Sequence, residues 1–239
     1  MNTVKIEKKN VLMVAHRGVS GIEKENTCSA FVAAGNRSYY GIETDVHKTA
    51  DGKFVICHDS DLFRVSGERI NVEEVSLAVS ESVVLFDRDG TKSRNDLRPC
   101  ALEDYISICK KYEKHCVLEL KSDFSEEETA NMIELIRSFD YLENVTFISF
   151  WYPNLEKVRA ICPSQSVQYL FSEVTDEIIE RVARDKMDVD VGHNSLTEQN
   201  IKAFHEKGIK VNCWTVDNKE RAEQLVSFGV DYITSNILE

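Results

Sequence analysis

The 239-residue chain has little glycine and proline, ten and three residues respectively. That excludes collagen-like repeats and leaves no stretch suited to a long flexible linker. Its seven cysteines, Cys28, Cys57, Cys100, Cys109, Cys116, Cys162 and Cys213, include no pair three positions apart. A CxxC metal or redox unit is therefore absent. The cysteine count is odd, and the opening MNTVKIEKKN lacks the apolar stretch of a secretory signal. Reduced thiols and a cytoplasmic location are expected. Apolar runs extend for only a few residues, short of the ~20 needed to cross a bilayer, so no integral membrane segment is expected. Positive charge is also in deficit, with 29 Lys and Arg against 41 Asp and Glu, a net −12. Without a broad basic face, nucleic acid and anionic lipid are poor partners. An anionic substrate would need local cations to overcome the global field.

What is present is a rhythm of short strands and amphipathic helices. Strands are expected at 11–15, 41–46, 116–120, 144–149, 166–171, 187–191, 210–215 and 231–234. Helix patterns fill the gaps, as at 129–139, 154–161, 176–184, 198–207 and 219–228. Thr197 and Asn218 are placed to cap two of these helices, and Gly208 and Gly229 to close them. Alternating β and α at this spacing implies parallel strands with right-handed crossovers. Eight such strands in one domain of residues 1–239 favour a TIM (β/α)8 barrel over an open doubly wound sheet. About 70 residues separate the second and third barrel strands, where ~20 would do. They open with the turn Asp51-Gly52 and a short strand at 54–57, and end with a helix near 102–112. The part from about 59 to 99 is expected to be an insertion over the C-terminal face of the barrel.

The candidate chemistry clusters at strand ends. Glu43 and Asp45 stand two apart on a strand, so both side chains leave one face. Close carboxylates repel unless a cation or proton lies between them. Taken alone, such a pair is also what an ordinary polar strand end shows. Glu119-Leu120-Lys121 repeats the spacing on the next barrel strand, as a third carboxylate with a cation or as a simple ion pair. Three carboxylates form a hard oxygen site suited to Mg²⁺ or Ca²⁺. His16-Arg17-Gly18 ends the first strand, where a histidine can move protons and an arginine can fork onto phosphate. His58 ends the short strand at 54–57 and can reach the same mouth. His193 follows the sixth barrel strand and is a further candidate. Trp214, near the end of the seventh, can pack against the carbon part of a substrate.

These motifs together resemble the glycerophosphodiester phosphodiesterase family. The resemblance rests on His16-Arg17-Gly18, Glu25-Asn26-Thr27 heading a helix, Glu43-Thr44-Asp45-Val46, and Asp51-Gly52 followed by Val55 and His58-Asp59. It continues through Glu119-Leu120-Lys121, Trp214-Thr215-Val216, Gly229-Val230-Asp231 and Ile233-Thr234, and so covers nearly the whole chain. It implies a metal-dependent TIM-barrel enzyme that hydrolyses a small-molecule glycerophosphodiester to glycerol 3-phosphate and an alcohol. The implied metal ligands are Glu43, Asp45 and Glu119, the catalytic histidines His16 and His58, and the phosphate contacts Arg17 and Lys121. Lys24, Ser235 and Ile237 depart from the family pattern, where proline, aspartate and proline are common. The rival readings are a sphingomyelinase D-like or lysophospholipase D-like enzyme and a non-catalytic barrel that binds a phosphate ligand.

Overall fold

The computed structural model describes residues 2–239. Ten strands lie among the described residues: β1 (Leu12–Ala15), β2 (Gly41–Lys48), β3 (Phe54–Ile56), β4 (Cys100–Ala101), β5 (His115–Leu120), β6 (Val145–Ser149), β7 (Ser166–Phe171), β8 (Asp188–Gly192), β9 (Val211–Trp214) and β10 (Tyr232–Ser235). Eight of them run parallel in the order β10-β1-β2-β5-β6-β7-β8-β9. The two ends of this path meet. Asp231 N–H donates to Val211 O at 2.9 Å, and Val216 N–H to Thr234 O at 3.0 Å. The fold is a TIM barrel, as the alternation of elements implied.

The nine α-helices among the described residues are α1 (Cys28–Gly35), α2 (Phe63–Ser66), α3 (Leu77–Ser82), α4 (Leu102–Lys111), α5 (Glu126–Ser138), α6 (Tyr152–Ile161), α7 (Asp176–Arg184), α8 (Glu198–Glu206) and α9 (Lys219–Phe228). Local chemistry sets their ends. Thr175 caps α7 by accepting from Ile178 N–H. Asp176 and Glu177 lie in its first turn and Arg181 and Arg184 in its last, each sign matched to the helix dipole. Ile179 and Val182 form its buried stripe. Thr197 and Asn218 cap α8 and α9, and Gly229 closes α9 in the left-handed conformation at φ 93°.

Inside the barrel, Val14, Val117, Ile148 and Leu170 form an apolar plug. A larger apolar layer lies between sheet and helices. β2 is buried from Gly41 to His47, which explains why so polar a sequence, GIETDVHK, holds a central strand. It runs two residues past its expected end and so includes His47. At Gly18, where β1 turns toward α1, an added Cβ would lie 2.6 Å from the Ala30 Cβ, so only glycine fits this approach.

The segment between β3 and β4 has a core of its own. Leu62, Val65, Val72, Val83, Leu85 and Leu97 gather with Val55 and Cys57 into a separate small core. α2 and α3 and a short pairing of β3 with β4 accompany it. Salt links join it to the loop before α1: Arg64 to Glu25 at 2.9 Å and Arg94 to Glu23 at 2.7 Å.

Residues at the two ends of the described chain pair beside α1. Val4 N–H donates to Ile237 O, and Glu239 N–H to Val4 O. The buried Glu239 carboxylate accepts from Ser38 N–H and Ser38 Oγ, both at 2.6 Å, and meets Lys5 Nζ at 2.7 Å. Burial alone would raise this carboxyl; the Lys5, Ser38 and Thr3 contacts reverse that and bring it down to about 2. A lowered folded-state value means stability that is complete above the ordinary glutamate range near 4.5 and lost as pH falls toward 2. Glu239→Gln is expected to lower unfolding free energy at pH 7 by on the order of 2–3 kcal/mol. Urea titrations of both proteins at pH 7 and pH 3 should show that gap shrinking in acid; an equal gap at both would refute the assignment.

Candidate active site

The C-terminal ends of the barrel strands bring the expected residues to one mouth. His16 and Arg17 follow β1, Glu43 and Asp45 lie on β2, and Glu119 and Lys121 end β5. Register places Asp45 opposite Glu119 on adjacent parallel strands. One carboxylate oxygen each of Glu43, Asp45 and Glu119 lies within 4.8 Å of the other two. All three residues are buried.

Two cations hold this negative cluster. Lys121 Nζ lies 2.9 Å from Glu119 Oε1 and 3.7 Å from Asp45 Oδ1. Arg17 Nε lies 3.4 Å from Asp45 Oδ2, and its NH1 lies 2.9 Å from Glu25. Arg17 has a left-handed backbone at φ 52°, uncommon outside glycine and a place where functional sites store strain. That turn lets its own N–H donate to Glu43 Oε2 at 2.8 Å. Arg64 grips Glu25 from the other side through two bonds of 2.9 Å. Burial would raise Glu25, but the bonds from Arg64 and Arg17 bring it down to about 2. Asn26 completes the frame, donating to Asp45 Oδ2 at 2.8 Å while accepting from Thr44 Oγ1.

The cluster remains electrostatically uneasy. Burial, then the charge of Asp45, holds Glu43 well above the carboxylate range. Burial and Asp45 push Glu119 up to about 7, despite Lys121. Burial would raise Asp45 too, but Arg17, Lys121 and His58 outweigh it and leave Asp45 low. Asp45 Oδ1 is buried without a hydrogen bond. Three hard oxygen donors, mutual repulsion and an orphaned oxygen are what a divalent cation would satisfy. The residues fit such an ion.

The two histidines have contrasting supports. His16 Nδ1 lies 2.7 Å from Asn236 Oδ1, and Asn236 Nδ2 donates to Asp217 Oδ2 at 2.5 Å. A carboxylate only accepts, so it fixes the Asn236 amide with its oxygen toward His16. His16 Nδ1 is then the donor, and Nε2, 3.9 Å from Glu43 Oε2, carries the lone pair of the neutral ring. His58 Nδ1 instead faces a carboxylate, Asp59 Oδ1, at 2.7 Å, and its Nε2 lies 3.3 Å from Lys121 Nζ. Burial and Arg17 lower His16 from the ordinary histidine value. Burial, with Arg17 and Lys121, also lowers His58, against the pull of Asp45 and Asp59.

A cavity of about 110 Å³ opens among these groups, with Ile148, Leu170, Asp190 and Thr234 also on its walls. Trp214 borders it, with its ring edge-to-face on Phe150 at 5.4 Å and Nε1 donating to Asp190 O at 3.2 Å. His16 and Arg17 also border a wider cleft of about 560 Å³. His193 stands apart from the cavity wall. It is held through its carbonyl by Arg221 of α9. Sequence reading did not find Asn236, Asp217 or Asp190. Asp190 alone left a trace, as a carboxylate inside the apolar run Val189-Asp190-Val191 near a strand end.

Residues 16–238 match the model of the glycerophosphoryl diester phosphodiesterase family. The chain belongs to that family. The enzyme is similar to a glycerophosphodiester phosphodiesterase of Caldanaerobacter subterraneus subsp. tengcongensis, at 27% identity over 231 residues, covering 94% of this chain and 93% of the relative. A phosphodiesterase of Oleispira antarctica, solved in complex with the product sn-glycerol-3-phosphate, superposes with a TM-score of 0.88 at 24% identity, covering 98% and 96% of the two chains. A glycerophosphodiester phosphodiesterase of Thermotoga maritima gives a TM-score of 0.77, also at 24% identity, covering 95% and 94%. No helix among the described residues is long and apolar enough to cross a membrane.

Asn236 supports His16 without facing the carboxylate cluster, which makes it separable from metal binding. Asn236→Ala is expected to lower kcat ~10-fold or more through loss of the fixed ring, with KM little changed. Steady-state kinetics check this; an unchanged kcat would remove Asn236 from the machinery.

Proposed function

We propose that this enzyme hydrolyses glycerophosphodiesters to glycerol 3-phosphate and an alcohol, with Mg²⁺ or Ca²⁺ held by Glu43, Asp45 and Glu119. The observation that carries the reading is the cluster of those three carboxylates beside one cavity, whose walls hold Glu43 and Glu119 together with both histidines, Arg17 and Lys121. The product captured in the Oleispira antarctica neighbour is in keeping with it. A bound divalent cation supplies Lewis-acid polarisation of a phosphoryl oxygen.

The remaining work falls to the side chains. Arg17 and Lys121, already beside the carboxylates, bind and orient the phosphate through charge-assisted hydrogen bonds. His16 and His58 divide the proton transfers: one takes the proton of the attacking oxygen, either water or a glycerol hydroxyl whose cyclic phosphate water then opens, and the other protonates the departing alkoxide. The second transfer matters most because an alkoxide is a poor leaving group. Trp214 and Phe150 pack against the carbon skeleton of the substrate. Residues 59–99 cover the C-terminal face of a single barrel domain, supported by the Arg64–Glu25 and Arg94–Glu23 links at the mouth. Seven unpaired cysteines, most of them buried, support a reducing, cytoplasmic setting.

The division of labour has a kinetic signature. Replacing the acid with alanine should cost ~10²–10⁴-fold on an alkyl diester and far less on a p-nitrophenyl diester, whose leaving group needs no proton. Replacing the other histidine should damage both substrates alike. Initial rates of His16→Ala and His58→Ala on the two substrate types measure this. Equal losses on both substrates for both variants would contradict the scheme.

A further inference from the structure

Asp190 is a carboxyl group that the proposed reaction does not use. It lies on β8 and is 1% exposed. Its neighbours in register are Leu170 on β7 and Asn212 on β9. Asn212 is committed elsewhere, bonding Gln168 and Thr234. Asp190 Oδ1 is buried without a hydrogen bond. Burial, and next the charge of Glu119, hold its carboxyl well above the ordinary aspartate value. A valine or leucine would fill this place in a barrel interior at lower cost, because a buried polar group without a partner is unfavourable. Trp214 Nε1 fixes the Asp190 carbonyl, so the strand carrying the side chain is held in place.

The orphaned group borders the cavity of about 110 Å³, beside Ile148, Leu170 and Trp214. That wall sets the Asp190 carboxyl among apolar surfaces, and Thr215 and Thr234 also line the cavity. It is complementary to a small ligand with C–H faces and a hydroxyl. A carboxyl accepts from a hydroxyl when ionised and can also donate to one when protonated, so it can pair with a hydroxyl in either state. The wider cleft of about 560 Å³ suits the alcohol half of the diester, which differs from substrate to substrate. The half common to all of them belongs in the small cavity.

We propose that Asp190 is the specificity residue that binds a glycerol hydroxyl of the substrate, so that the small cavity holds the glycerol half and the wider cleft the alcohol. This rests on the glycerophosphodiester reading above. It adds a residue that selects a polyol over a plain alkyl group.

The test titrates sn-glycerol 3-phosphate and propyl phosphate, which lacks both hydroxyls, into the full-length protein with Mg²⁺, by calorimetry. Wild type is expected to prefer glycerol 3-phosphate by ~10–100-fold. Asp190→Val should bring the two affinities together, whereas Asp190→Asn, which keeps a donor and an acceptor, should retain most of the preference. Equal affinity of the wild type for both ligands overturns the proposal, whether or not the valine variant folds. An unchanged preference in folded Asp190→Val overturns it as well. A parallel assay on glycerophosphoethanolamine separates the two readings. Turnover without a hydroxyl preference removes only the role of Asp190; a preference without turnover keeps that role and removes the proposed reaction.

Discussion

Three carboxylates forced together in a buried mouth are the constraint on which the rest of this structure depends. Glu43, Asp45 and Glu119 repel one another, and burial makes each charge costlier than it would be in water. Arg17 and Lys121 offset only part of that cost. Much of the surrounding architecture holds these two cations in place. The left-handed turn at Arg17 aims both its backbone N–H and its guanidinium at the cluster. Glu25 steadies that guanidinium, Arg64 steadies Glu25, and so the inserted segment is tied to the site through a chain of charges.

A second connection runs from that segment to His58. The buried His47 ring reaches the His58 carbonyl through Nε2 at 3.1 Å and Glu73 through Nδ1 at 2.9 Å. Ser122, just after β5, also donates to Glu73. One imidazole therefore joins β2, the insertion and the turn after β5 beneath the loop that carries a catalytic candidate. The small apolar core of the insertion gives these contacts a firm base, since a structureless loop would pay more conformational entropy to hold them.

The parts of the site that were legible in the sequence are those written by local periodicity. Glu43 and Asp45, and Glu119 and Lys121, share a face because strand side chains alternate, and spacing alone reveals that. Helix ends at Thr197, Asn218 and Gly229 were legible because capping chemistry is local. Asn236 and Asp217 were not. They meet His16 only when the barrel closes, bringing residue 236 against residue 16, and no local rule encodes that contact. Ser235 and Ile237 read as departures at the last loop, yet the intervening Asn236 supplies the His16 partner. Asp190 escaped notice because a lone acid in a strand pattern is ordinarily a surface residue, and only the structure reveals its burial. The insertion was read only as a cover over the C-terminal face, and its own small core was not legible because its apolar residues are scattered between charges and follow no regular period.

The central claim is that the phosphate stays with glycerol while the alcohol departs. Phosphorus NMR of the full-length protein acting on glycerophosphoethanolamine tests it most directly, with Mg²⁺ present and after chelation. The expected result is the steady replacement of the diester signal by that of glycerol 3-phosphate, arrested by the chelator. Appearance of phosphoethanolamine, or turnover that continues at the same rate without divalent cations, would contradict the account.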